Sequence, residues 1–222
     1  SNPVDKTEKF MFDGERLIQH IIKQRYFEEE ISNEVNLSYS DNQVTVTTDY
    51  LTLVYTLNSE GYASQCVYSL SSQNRIYQFS YSAEGYLTGI VENIDDTEYS
   101  STSLTYENGD ITSISSKMNG LENKFIYEPG EESSTYHLPC LGLLEIHPLT
   151  FHIEALYAGL LGKDPRHFTM HSCPAGSNDE KTVYSYGFDK KGNPSRMICQ
   201  TTYAGGQASY YPYTRNISIS FE

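Results

Sequence analysis

One short pattern recurs along the chain and limits its fold more than any other feature. Two large apolar residues flank one polar residue, a tight turn follows, and an aliphatic residue lies beyond it. The clearest copy is YQFSYSAEGYLTGIV, from Tyr77 to Val91. Phe79 and Tyr81 alternate with Gln78 and Ser80, the period of two that puts one apolar and one polar face on a strand. Ser82-Ala83-Glu84-Gly85 supplies a turn in which glycine can take a positive φ, and Leu87, Ile90 and Val91 form the return. The unit reads as a β-hairpin.

Looser copies place Leu37 and Tyr39 before Asp41-Asn42, Tyr55 and Leu57 before Gly61, and Leu104 and Tyr106 before Asn108-Gly109. Phe125 and Tyr127 precede Pro129-Gly130, and Tyr186 and Phe188 precede Gly192. The turns at 42, 61, 85, 109 and 130 lie 19, 24, 24 and 21 residues apart. That period fits two short strands and two turns. The spacing therefore predicts an all-β antiparallel meander of about a dozen strands, folded as one domain over residues 1–222. Gly61, Gly85, Gly109 and Gly192 are expected in the turns, and residues 1–8 are expected as a disordered tail. Lys9 to Glu30 could form an amphipathic helix by composition, but Gly14 and Leu17 fit the hairpin pattern, and strand is the reading taken.

Between 131 and 181 the pattern breaks. Residues 148–162, PLTFHIEALYAGLLG, read as an inserted helix, with Leu149, Ile153, Leu156, Tyr157, Leu160 and Leu161 on one face. Proline suits its first turn, and glycine followed by lysine suits its end. Such a stripe must be buried. The apolar side of the sheet, bearing Phe79, Tyr81, Leu104, Tyr106 and Phe188, is the expected cover.

The chain carries 15 basic and 29 acidic residues, a net charge of −14. This balance argues against nucleic acid and anionic lipid surfaces as partners. Twenty tyrosines and no tryptophan suit half-wet sheet faces and surfaces that bind glycans or proteins. No apolar run is long enough for a transmembrane helix. Ser1-Asn2 reads as a vector remnant, which leaves room for an export signal ahead of it. The four cysteines, Cys66, Cys140, Cys173 and Cys199, form no CxxC pair. Cys140 and Cys173 bracket the helix and are candidates for a disulfide in an exported protein.

Five of the six histidines, His137, His147, His152, His167 and His171, fall in the insertion. The spacing in HFTMHSC can in principle hold a metal, but no HExxH or paired CxxC supports it, so no metal or other cofactor is assigned. Glu92, Asp95, Asp96 and Glu98 read as an acidic solvated hairpin tip. No nucleophile elbow, phosphate loop or dinucleotide fingerprint occurs, and no catalytic residue is assigned.

The hairpin pattern resembles YD-repeat sequences, which build hollow β-shells. The segment YAGLLGK, Tyr157 to Lys163, followed by YSYGFDKKGNPSRM, is more specific. From Phe10 to Phe221 the chain resembles a domain of unknown function found in exported proteins and lipoproteins of Bacteroidetes and described as having a porin-like fold. The resemblance implies a barrel-like or strongly curved sheet, export to the periplasm or cell surface, and room for a lipid anchor upstream. A membrane channel is not implied, because the strands lack a lipid-facing apolar band. Three functions compete. The first is a non-catalytic envelope scaffold or binding module for a glycan or partner protein. The second is a carrier of an apolar ligand in the barrel cavity with the helix as plug. The third is a hydrolase using the histidine-rich insertion.

Overall fold

The computed structural model describes residues 5–26, 29–70, 73–133, 146–177, 180–203, 207–208 and 213–221. Strands β1 (Asp5–Asp13), β2 (Arg16–Tyr26), β3 (Glu29–Tyr39), β4 (Gln43–Thr47), β5 (Thr52–Leu57) and β6 (Ala63–Leu70) open a continuous meander. It continues through β7 (Gln73–Tyr81), β8 (Leu87–Ile94), β9 (Thr97–Glu107), β10 (Asp110–Met118) and β11 (Leu121–Pro129). A short helix α1 (Ile153–Tyr157) interrupts the series before β12 (Thr169–Pro174), β13 (Lys181–Phe188) and β14 (Pro194–Tyr203). The two-residue β15 (Gln207–Ala208) and the final β16 (Tyr213–Phe221) complete it.

From β1 to β14 each strand pairs with the next, β16 pairs with both β14 and β1, and β15 hangs on β14 as a spur. The result is a closed barrel of 15 strands. An up-and-down ring with an odd number of strands cannot be antiparallel throughout. The exception is the seam, where β1 and β16 pair in parallel from Asp5↔Thr214 to Phe12↔Phe221. Every other pairing is antiparallel, so the expected antiparallel meander holds except at this seam. Two boundaries also change. Residues 5–8 belong to β1 and not to a disordered tail, and β12 is a wall strand inside the segment expected to be an insertion.

The two faces of the wall differ sharply. On β9, Ser100, Thr102 and Leu104 are buried while Ser103 and Thr105 are exposed. Asn36 and Ser38 on β3, Gln43 and Thr47 on β4, and Asn216 and Ser218 on β16 also face water. Phe10, Leu17, Val44, Tyr55, Tyr77 and Ile90 point inward and are fully buried. A membrane barrel has the opposite arrangement, with an apolar exterior around a polar interior. Among the described residues no helix is long and apolar enough to cross a membrane.

The interior is filled by the chain between 146 and 168. A 3-10 turn over Leu149–Phe151 leads into α1, which ends at Ala158. The helix expected over 148–162 is thus five residues long. Gly159 and Gly162 take positive φ values of 70° and 88° and turn the backbone out of the helix. The stripe is buried nonetheless: Leu149, Leu156, Tyr157, Leu160 and Leu161 all belong to the core. A segment enclosed by wall on all sides needs no one-sided helix, because its backbone can bond to the wall.

It does so in sequence. Leu160 O accepts from Ala63 N at 2.7 Å, Gly85 O from Lys163 N at 2.8 Å, and Gly109 O from Arg166 N at 3.0 Å. Phe168 O then accepts from Gly130 N at 2.8 Å. This strap crosses three successive hairpins and the end of β11 at one end of the barrel. The approach is close: a Cβ on Gly162 would lie 2.6 Å from Gly85 O, and one on Gly109 would lie 2.8 Å from the Tyr86 hydroxyl. Gly61, Gly85, Gly109 and Gly192 all have positive φ and sit between paired strands.

Candidate functional site

Charged residues on the inward face need partners, since a buried unpaired charge is costly. Lys6 and Glu8 stand in phase with Phe10 and Phe12 on β1, and Glu92 in phase with Ile90 on β8; all are buried. Their partners come from other wall strands and from the plug.

Glu8 is gripped by Arg215 of β16, through Nε at 2.6 Å and Nη2 at 2.7 Å, and by Lys6 at 3.0 Å. Burial opposes its ionisation, but Arg215, His20 and Lys6 together hold its carboxyl well below the usual range. Arg215 also donates to the Tyr157 hydroxyl of α1 at 3.2 Å. His20 lies between Glu8 and Glu154 of α1.

A second cluster centres on Glu92. It accepts from Ser100 Oγ at 2.6 Å and Tyr77 OH at 3.2 Å, and meets His147 Nε2 at 2.7 Å and Arg75 at 3.3 Å. Burial raises its pKa, and the contacts from His147, Ser100 and Arg75 overcome that and lower it. Glu92 is therefore not part of a solvated tip, which corrects that expectation; Asp95 and Asp96 are exposed in the turn itself.

Serine, histidine and glutamate meet here, but not as a catalytic relay. A relay needs the imidazole to bridge, one nitrogen on the nucleophile and the other on the acid. Here the same atom, His147 Nε2, faces Glu92 at 2.7 Å and Ser100 at 3.3 Å, and the serine gives its own proton to Glu92. Ser100 is also buried.

The other histidines are likewise structural contacts. His152 is buried and shares a 2.8 Å hydrogen bond between its Nδ1 and Tyr55 OH; burial pushes its pKa down to about 3, so it is neutral. His167 Nδ1 and its backbone N both bond Asp110 of β10 at 2.9 Å. His147, His152 and His167 thus fasten the plug to the wall. His171 lies on β12, apart from His167, and no three metal-ligating side chains converge among the described residues. Of the cysteine pair, Cys173 on β12 is a free thiol, while Cys140, like His137, lies outside the described residues.

The remaining space is unevenly placed. Under the strap, beside Leu87, Leu104, Leu149 and Leu156, the void is about 20 Å³, barely room for a water. A hollow of about 450 Å³ lies where the chain leaves the wall, between Gly130–Glu132 and β12–β13. At the end opposite the strap the lumen opens into two cups. One, about 450 Å³, lies between β2–β6 and the plug residues Phe151, Ile153 and Glu154. The other, about 430 Å³, lies between β10–β14 and His147, with Phe125, Tyr127 and Tyr184 beside Asn123 and Thr182. Both volumes suit small ligands. The turns and strand ends around this mouth carry exposed Tyr50, Leu121 and Tyr203.

A crystal structure of a porin-like protein from Bacteroides uniformis is similar over 90% of this chain and 84% of that one, at 26% identity and a TM-score of 0.77. No curated protein matches. The family DUF4595, a domain of unknown function with porin-like fold, matches residues 11–196, and the chain belongs to it.

Proposed function

We propose that this protein is a non-catalytic binding module of the cell envelope, exported to the periplasm or cell surface, that takes its ligand or partner at the open mouth of the plugged barrel. The observation that carries this reading is the asymmetry of the lumen. Beside Leu87 and Leu104 the strap leaves about 20 Å³ and its space lies at the margin by Gly130–Glu132, while the open end keeps two cups of about 430 and 450 Å³ inside the lumen, lined by aromatic and polar side chains. The polar exterior suits a barrel surrounded by water, and the arrangement of Ser100, His147 and Glu92 argues against hydrolysis at that cluster. The carrier reading draws support from the same cups, since residues 146–168 do plug the barrel.

A thermal-shift screen against glycans, peptides, fatty acids and amines tests the reading, using the wild type and two blocked variants. Leu51→Trp fills one cup and Thr182→Trp the other. The expected result is a ligand-induced shift that one of the two variants abolishes. A shift that persists in the doubly blocked protein, turnover of a screened ester or glycoside, or fractionation of the protein to the cytosol would overturn it.

A further inference from the structure

We propose that the cup between β2–β6 and the plug binds a hydrophobic ligand carrying a cationic group, an amine or guanidinium on an apolar body. The proposal rests on the binding-module reading and adds to it a place and a chemistry. The cup's body is apolar: Val35, Val46 and Leu53 come from the wall, Phe151 and Ile153 from the plug. Beside the neutral Asn33, Thr48 and Thr150, its charged groups are of one sign. Asp49 and Glu34 stand exposed at the mouth, and Glu154 lines the cup from α1. No lysine, arginine or histidine is among the described residues that line it.

Glu154 is positioned and not free to swing. Its Oε1 is held by His20 Nδ1 at 2.9 Å, and its side chain keeps 12% exposure. Charge at the edge of an apolar hollow acts through a lower dielectric than in water, so a cation placed there is attracted more strongly than at the surface. Neighbouring cations are already paired, His20 with Glu154 itself, so the charge open to a ligand is that of Asp49 and Glu34. The Arg75 guanidinium stacks over Tyr68 and Phe151 but is tied to Glu92 at 3.3 Å. His20 is taken up by Glu8 and Glu154. Tyr50, 86% exposed at the mouth, adds a ring face that favours a cation. An anion would meet the exposed carboxylates of Asp49 and Glu34, and a neutral ligand would gain only apolar contact. The net charge of −14 draws cations to the protein from a distance.

Calorimetric titration with three probes of one shape tests this: phenylbutylamine, phenylbutanol and phenylbutyrate, at neutral pH and low salt. The amine is expected to bind about tenfold tighter than the alcohol, with the carboxylate weakest, and added salt should weaken the amine alone. Asp49→Asn, at an exposed turn, should weaken the amine about threefold and leave the alcohol unchanged. Leu51→Trp should abolish binding of both. Equal binding of amine and alcohol, both lost in Leu51→Trp, would overturn the charge preference and leave the binding-module reading standing. Amine binding that survives Leu51→Trp would overturn the site. Failure of all three probes would overturn the proposal, while the broader screen decides the binding-module reading separately.

Discussion

His20 of the wall and Glu154 of the plug meet at 2.9 Å, Nδ1 to Oε1, while the other ring nitrogen of His20 lies 3.2 Å from Glu8. With a carboxylate on each side, both nitrogens need a proton. A neutral ring would turn a lone pair towards one of the acids. Burial works against the charged ring, but the hydrogen bond with Glu154 and the nearby Glu8 carboxylate outweigh it, and the pKa is raised above 6.5. The other groups around this site, Lys6, Arg215 and Tyr157, are engaged with Glu8 or with each other.

A raised imidazole pKa stabilises the fold fully below its unfolded value and ceases to do so as pH rises through the folded value. His152 has the opposite sign. Its pKa is lowered from 6.5 to about 3, so its contribution is present above 6.5 and is lost as pH falls towards about 3. Stability should therefore peak near the ordinary imidazole pKa. Urea melts across pH should show His20→Gln flattening the alkaline decline and His152→Phe flattening the acid one. A decline unaltered by its matching variant would assign that limb to other groups.

The seam of the barrel depends on Glu8 and Arg215, which join β1 to β16 at 2.6 and 2.7 Å with both side chains almost wholly buried. Removing either partner alone leaves an uncompensated buried charge. Glu8→Gln or Arg215→Met should each cost about 3–5 kcal/mol, and the double Glu8→Met/Arg215→Met should cost less than the sum. Guanidinium melts of the three proteins measure the coupling. Strict additivity would show that the pair does not act as a unit.

The hairpins were legible because turn chemistry is local: Asn108-Gly109 needs only its neighbours to specify a reversal. The seam was not, since no local signal announces that Glu8 will meet Arg215 from the far end of the chain. Strands β12 and β16 are faint in the sequence, because they carry little of the aromatic-turn pattern. The polar clusters left a fainter trace. Lys6 and Glu8 fall on the same alternation as Phe10 and Phe12, and Glu92 on that of Ile90, so a strict reading of phase would have placed these charges inside. The histidines of the insertion then become intelligible as partners that a plug must bring to a wall carrying buried acids. The helix is shorter than the spacing of its leucines suggests, because their burial comes from enclosure and the backbone bonds of 160–168 go to the wall.

The strap gives a sharp contrast between glycines. Gly162 has φ +88°, and a Cβ there would sit 2.6 Å from the Gly85 carbonyl and 3.1 Å from the Tyr81 ring. Gly192 has a similar φ of +85° but open space around it. Gly192→Ala should cost about 1–2 kcal/mol, the left-handed backbone penalty alone. Gly162→Ala should cost more, by roughly 1–3 kcal/mol, because the strap must also move off the hairpin. Equal losses in parallel urea melts would show that the close approach carries no energy.

Leu156 decides whether the plug is core or lid. It lies in α1, is 7% exposed, and belongs to the same cluster as Leu149, Leu160 and Leu161. Leu87 and Leu104 of the wall share its small void of about 20 Å³, so little slack exists to absorb a smaller side chain. Truncation should therefore leave a cavity that the closed wall cannot collapse into. Leu156→Ala should cost about 2–5 kcal/mol, the range for a buried leucine, with the dependence on denaturant unchanged because the same surface is exposed on unfolding. A lid would behave differently: it could lift from the wall before the barrel unfolds, and its leucine would contribute little to the global transition. A loss below about 1 kcal/mol, under the range for any fully buried leucine, would reject the core role. Amide exchange of residues 153–157 at the rate of global unfolding in the wild type would support it, since a plug packed on all sides opens only when the barrel does.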